Sequence, residues 1–220
     1  MKQSTIAIIT IAIIAIFTSS NISWGKDRWK SIVEADAKGY YAYLPAVFIY
    51  NDLNFGFFDT IEKEKYYSEN LYYDYRSHFN GRTINKYYSG TALAQLPFFL
   101  VAHFIANILN FETDGFSKSY AISVNIAAIF YLIIGLLYTI KTLRSYAIKE
   151  THILITLLVS VFGTNLFYYT IGEPGMSHLF SFAFVAAFIY YLRKLSANIQ
   201  SLTIIILGCI LVFITLISPV

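Results

Sequence analysis

From Ile122 onward the chain alternates long apolar stretches with short loops, and this alternation leaves few folds open. The runs over 122–140, 153–169, 179–192 and from 202 on can satisfy their backbone N–H and C=O groups in an apolar surrounding only by intrahelical bonds, so they call for a bundle of membrane helices. Composition agrees. The 220 residues are 57% apolar and 13% charged, against about a quarter charged in a typical soluble domain. Nineteen Tyr and nineteen Phe imply much interfacial surface, because a tyrosine ring suits a place with one dry end and one wet end. A single cysteine, Cys209, lies inside an apolar run, which excludes an internal disulfide framework or thiolate metal site. No internal repeat, Walker loop, G-x-G-x-x-G, G-x-S-x-G or H-E-x-x-H occurs, so nucleotide-driven transport and the common hydrolases lack their signatures.

Charge placement sets the expected topology. Residues 1–24 form a first span, preferred over a cleaved signal peptide because no A-x-A site follows the apolar centre. Residues 25–118 hold 10 of the 16 Lys and Arg and 11 of the 13 acids. Their near balance argues against nucleic acid or a polybasic lipid patch. The other six cations, Lys2, Lys141, Arg144, Lys149, Arg193 and Lys194, fall on one side if spans run over 119–142, 152–170, 177–193 and 201–219. The positive-inside tendency puts that side in the cytoplasm. The expected fold is therefore all-α and membrane-integral, with about five spans and one large outer loop. In that loop 37–52 is an interfacial helix interrupted by Pro45, 60–88 is an excursion of short helices and loops turning at Asn80-Gly81, and 90–109 is a re-entrant or surface-lying helix. The end, Ile217-Ser-Pro-Val220, reads as the N-terminal part of a longer protein.

The acids to single out are Glu34 and Asp36, just before the aromatic interfacial helix, and Glu173 in YYTIGEPGMSH. Asp36 at a helix start gains from the exposed N–H groups there, which serves a cap as well as a site. Glu173 stands between two apolar runs with Pro174-Gly175 to turn the chain and His178 close behind; it is either a functional acid or the acid of a short wet loop. Two acids and a histidine could hold a divalent cation, Mg or Mn, with Glu173 as a ligand. Arg76, His78 and Arg82 are candidate phosphate contacts. Tyr40 and Tyr41, like the pairs 66/67, 72/73 and 87/88, could stack on sugars or belong to an interface belt.

In order of elements, the first span followed by EADAKGYYAYLPA, then YYSGTALAQLPFFLVAHFIA, then the span from DGFSKSYAISVNIAAIFYLIIGLLY and the turn in GTNLFYYTIGEPGMSHLFSF resemble the GT-C superfamily of membrane glycosyltransferases, nearest to its protein O-mannosyltransferase-like and aminoarabinose transferase-like members. The His-Pro-Pro of many relatives is absent, with Leu96-Pro97 nearby. The resemblance implies a polyprenyl-phosphate sugar donor, a glycan, lipid or protein acceptor at the outer face of the bacterial inner membrane, and a cytoplasmic N-terminus. It casts Asp36, with Glu34 as rival, as base or acceptor-positioning acid, and Glu173 as a second positioning acid. The rival expectations are a non-catalytic partner in envelope polysaccharide assembly and a transporter.

Overall fold

The computed structural model describes residues 2–217. Its eight α-helices are α1 (Gln3–Ile22), α2 (Asp36–Pro45), α3 (Gly90–Ile108), α4 (Lys118–Ser145), α5 (Glu150–Phe162), α6 (Leu166–Ile171), α7 (His178–Ala197) and α8 (Ser201–Ile217). Four of them, α1, α3, α4 and α7, are long and apolar enough to cross a membrane. The all-α expectation is met at that level, apart from one small hairpin.

α4 is the axis. Ala121, Val124, Ala128, Leu132, Leu136 and Ile140 recur at helical spacing and are all buried. Gly135 admits the Phe182 ring of α7, since a Cβ there would lie 2.3 Å from Phe182 Cε1. Tyr131 meets Phe180, and further along Tyr138 meets Tyr190, so α4 and α7 run in the same direction. α8 returns antiparallel, its Phe213 stacked on Phe184 at 4.6 Å. On the other flank Ala7, Ile8 and Ile11 of α1 share a core with Ile153, Leu157 and Val161 of α5.

The two ends of the bundle differ in chemistry. At one end Ser4 Oγ donates to Glu150 and accepts from Arg144, each at 2.8 Å, while Arg144 Nε donates to Glu150 at 2.8 Å. The Lys141 ammonium lies over the Tyr138 ring and the Arg193 guanidinium over Tyr146. The basic residues expected on one side thus gather at one end. At the opposite end buried Asn125 accepts from Trp24 Nε1 at 2.7 Å and donates to the Thr170 carbonyl at 2.8 Å, tying the exit of α1 and all of α6 to α4.

Several local expectations change. The span expected over 152–170 is broken: α5 stops at Gly163, whose N–H closes on the Val159 carbonyl, and Thr164 turns its hydroxyl back to Ser160 before α6 starts. The α-helical register ends at Pro45, where an interruption was expected, but the chain goes on coiling as a π-helical turn over Ala46–Tyr50 and stops at Asn51 in the left-handed region. The excursion holds a π-helical stretch, Asp59–Lys65, and an antiparallel hairpin of β1 (Arg76–Phe79) and β2 (Arg82–Asn85), with Phe79 opposite Arg82. Positive φ at both Asn80 and Gly81 is what a two-residue hairpin turn demands. The last expected span runs to 219, of which 218 and 219 lie outside the described residues.

α3 packs along the half of α4 that carries Asn125, reaching its midpoint where Phe98 meets Phe130 and Tyr131 and the Tyr131 hydroxyl donates to the Ala94 carbonyl at 3.1 Å. Gly90 sits against the Leu216–Ile217 backbone, Ala94 joins Ala127, Phe180 and Ile217, and Phe99 and Ala102 join Tyr120 and Val124.

Asn125→Ala removes both ends of the clasp and leaves the half-buried Trp24 indole N–H without its acceptor. Thermal unfolding in detergent is expected to show a loss of about 1–2 kcal/mol.

Candidate functional site

The residues between the exit of α1 and the start of α2 make a tight turn that presents two acids. Ala37 N–H donates to the Glu34 carbonyl at 3.0 Å and Lys38 N–H to Ala35 at 3.1 Å. Ala35 has φ 47° and ψ −129°, a conformation that suits glycine and costs a residue with a Cβ roughly 1–3 kcal/mol. The strained residue lies between Glu34 and Asp36.

Asp36 opens α2, and a tyrosine relay fixes it. Tyr87 donates its hydroxyl to Asp36 Oδ1 at 2.5 Å, and the Tyr73 and Tyr87 hydroxyls are themselves paired. Gly39 makes this possible, because a Cβ there would come within 2.0 Å of the Tyr87 ring. Asn85, at the foot of the hairpin, donates to the Gly39 carbonyl at 2.7 Å and accepts from Tyr87 N–H at 3.0 Å. Tyr40, one turn after Asp36, meets the Tyr87 ring edge-on at 4.9 Å. Burial raises the Tyr40 hydroxyl above its ordinary range, against Ser177, which lowers it, while Asp36 adds to the rise.

The second acid-bearing loop closes on the first. After α6 the chain turns through Glu173-Pro174-Gly175, with Met176 N–H on the Glu173 carbonyl. Gly175 lies so close to α2 that its Cβ would stand 2.5 Å from Ala37 Cβ. Glu173 accepts from Tyr168 at 2.9 Å. Partial burial raises the Glu34 carboxyl above the usual carboxylate range, the charge of Glu173 raises it further, and Lys38 opposes both. That cation is already engaged: Lys38 Nζ bonds buried Glu62 and, at 2.6 Å, the Leu71 carbonyl.

The structure therefore joins Glu34, Asp36, Tyr40 and Glu173 in one cluster. It does not join the rest of the expected set. Tyr41 is a core residue, 2% exposed, with its hydroxyl on the Gly115 carbonyl, because it lies about 100° around α2 from Tyr40, where it packs on Phe99 of α3. Arg76 is no free phosphate contact: Asp74 and Asp59 hold it at 3.1 and 3.3 Å, and its guanidinium lies 4.0 Å over the Phe58 ring. His78 pairs with Thr83 on the hairpin, and Arg82 is exposed beside the tip. His178 starts α7 with its ring 4.0 Å from that of Tyr169. Among the described residues no group of three His, Cys, Asp or Glu could hold a metal, so Glu173 has a neighbouring acid in Glu34 but no closed ligand set. A large apolar trough of about 1010 Å³ runs between α3 and α4; none of the acids of the cluster lines it.

Tyr87 and Tyr73 were expected only as members of tyrosine pairs, not as partners of Asp36, and Tyr168 and Ser177 were not expected at the site. The first two belong to tyrosine pairs visible in the sequence, but only the fold selects which hydroxyl reaches Asp36. No family model, curated protein or solved structure matches this chain.

Two outcomes follow from this geometry. A carboxyl raised by folding stabilises the fold below its unfolded pKa and loses that contribution as pH rises through the folded one. Glu34→Gln should accordingly raise the melting temperature relative to wild type, more at pH 7 than at pH 4, in paired thermal scans. Ala35→Gly should relieve the strained turn and stabilise by about 1 kcal/mol, read from the same scans.

Proposed function

We propose that the chain is a membrane-embedded glycosyltransferase of the GT-C kind, moving a sugar from a polyprenyl-phosphate donor to a hydroxyl or amine acceptor at the outer face of the bacterial inner membrane. The observation that carries this reading is the convergence of Glu34 and Asp36, from the first outer loop, with Glu173, from the second, at the end of the bundle opposite the basic residues. With the basic end in the cytoplasm, the acids face outward.

In this reading Asp36 takes the proton of the acceptor nucleophile or orients it. A carboxylate positioned by the Tyr87–Tyr73 relay needs no rearrangement to do so. Glu173, held by Tyr168, positions the acceptor. Glu34, with its raised affinity for a proton, is the rival acid.

The test is turnover in proteoliposomes with polyprenyl-phosphate sugars, read as release of the lipid phosphate. Asp36→Asn is expected to lower the rate by about 10²–10⁴, as removal of a general base does, and Tyr87→Phe by a smaller factor. Equal rates in wild type and Asp36→Asn would remove Asp36 from the chemistry. Folded protein inert toward every donor would overturn the transferase reading in favour of a non-catalytic membrane partner.

A further inference from the structure

The trough between α3 and α4 is separate from the acids and has its own chemistry. Its walls are Val101 and Ile105 of α3 and Ile122 and Ile126 of α4. Val101 is 58% exposed, Ile105 42% and Ile126 44%, although each lies in a groove between two apolar helices. One end of the trough is polar. Trp29 and Tyr66, edge-to-face at 5.9 Å, line it there together with Asn110, Glu112, Ser117 and Lys118. Aromatic rings of this kind mark the level where hydrocarbon gives way to headgroups.

The charges at that end are unevenly satisfied. Glu112 is met by Lys65 at 3.0 Å and by the Tyr66 hydroxyl at 2.9 Å, and Asp114 by Lys65 at 2.8 Å. Lys118 is exposed and has no carboxylate partner among the described residues. It opens the 28-residue α4, whose first N–H groups favour an anion at the same place. A cavity of about 1010 Å³ is at the upper end of the range for small-molecule sites, which is about 300–1,000 Å³, so it has room for more than a single short chain.

We propose that this trough is a binding site for a glycerophospholipid of the surrounding bilayer, its acyl chains along α3 and α4 and its phosphodiester at Lys118 and the first turn of α4. Apolar length, a partnerless cation and an aromatic collar at one end match a two-chain amphiphile with an anionic group at its head. The site does not depend on the glycosyltransferase reading.

The chain has two tryptophans, Trp24 and Trp29, and only Trp29 lines the trough, so it can report occupancy. The protein is reconstituted in vesicles carrying increasing fractions of phosphatidylglycerol brominated on its acyl chains. The difference in fluorescence between wild type and Trp29→Phe isolates the Trp29 signal. Expected is quenching that saturates at a low mole fraction, and a half-saturation point displaced upward about fivefold in Lys118→Ala, the effect of about one cationic contact with a lipid headgroup. Lys118 is exposed, so this variant tests the headgroup without disturbing the core. Quenching that rises in proportion to the brominated fraction, identical in Lys118→Ala, would mean ordinary exchange with bulk lipid and overturn the site. Saturable quenching by brominated polyprenyl phosphate but not by the phospholipid would also overturn it, and would assign the trough to the sugar donor.

Discussion

The contact on which the acidic end depends is the approach of Gly175 to Ala37. The two backbones come so near that neither residue can carry a larger side chain: a single added Cβ would meet Ala37 Cβ at 2.5 Å. This seam brings the loop after α6 onto the first turn of α2, and the second acid arrives with it. Asn125 sets the height of that loop by holding Thr170 and Trp24 to α4. Small residues at the seam and one buried amide behind it therefore do what no sequence-local element could, which is to hold carboxylates from residues 34 and 173 within electrostatic reach.

Strain and polarity meet at the start of α2. Ala35 occupies a backbone region that suits glycine, Gly39 leaves the space that Tyr87 fills, and Tyr87 turns that space into a hydrogen bond with Asp36. The turn costs energy, and the packing around it supplies no obvious structural return for presenting two acids side by side.

Long periodic segments were legible in the sequence because their physics is local. α4, α7 and α8 follow from apolar length and flanking cations, and the gathering of Arg144, Lys141 and Arg193 at one end follows from charge placement. The hairpin was not read, although Asn80-Gly81 announced its turn; Arg76, Ser77 and His78 show no apolar alternation, since neither face of the hairpin is a continuous core face. The break at Gly163 was hidden because one glycine in an apolar run is compatible with an unbroken helix. At the site, the acids were visible as isolated charges beside apolar runs, whereas Tyr41 and Arg76 were misassigned for a definite reason. Residue type shows that a tyrosine or arginine can bind a ligand, but which face of α2 a tyrosine takes, and whether Asp74 and Asp59 reach the arginine first, are properties of the fold.

The distribution of cations separates the two regions of the end opposite the Arg144–Glu150 cluster. Lys38, the cation facing Glu34, is committed to Glu62 and the Leu71 carbonyl, so the cluster of Glu34, Asp36 and Glu173 keeps an excess of negative charge. An excess of negative charge of this kind favours a cationic or hydrogen-bond-donating group and disfavours a bare phosphate. Lys118, by contrast, stands at the mouth of an apolar trough with no acid to neutralise it, which is where a phosphate attached to hydrocarbon is welcome. In the glycosyltransferase reading proposed above, acceptor chemistry would fall to the acids and lipid phosphate binding to the start of α4, so that different residues would meet the two demands.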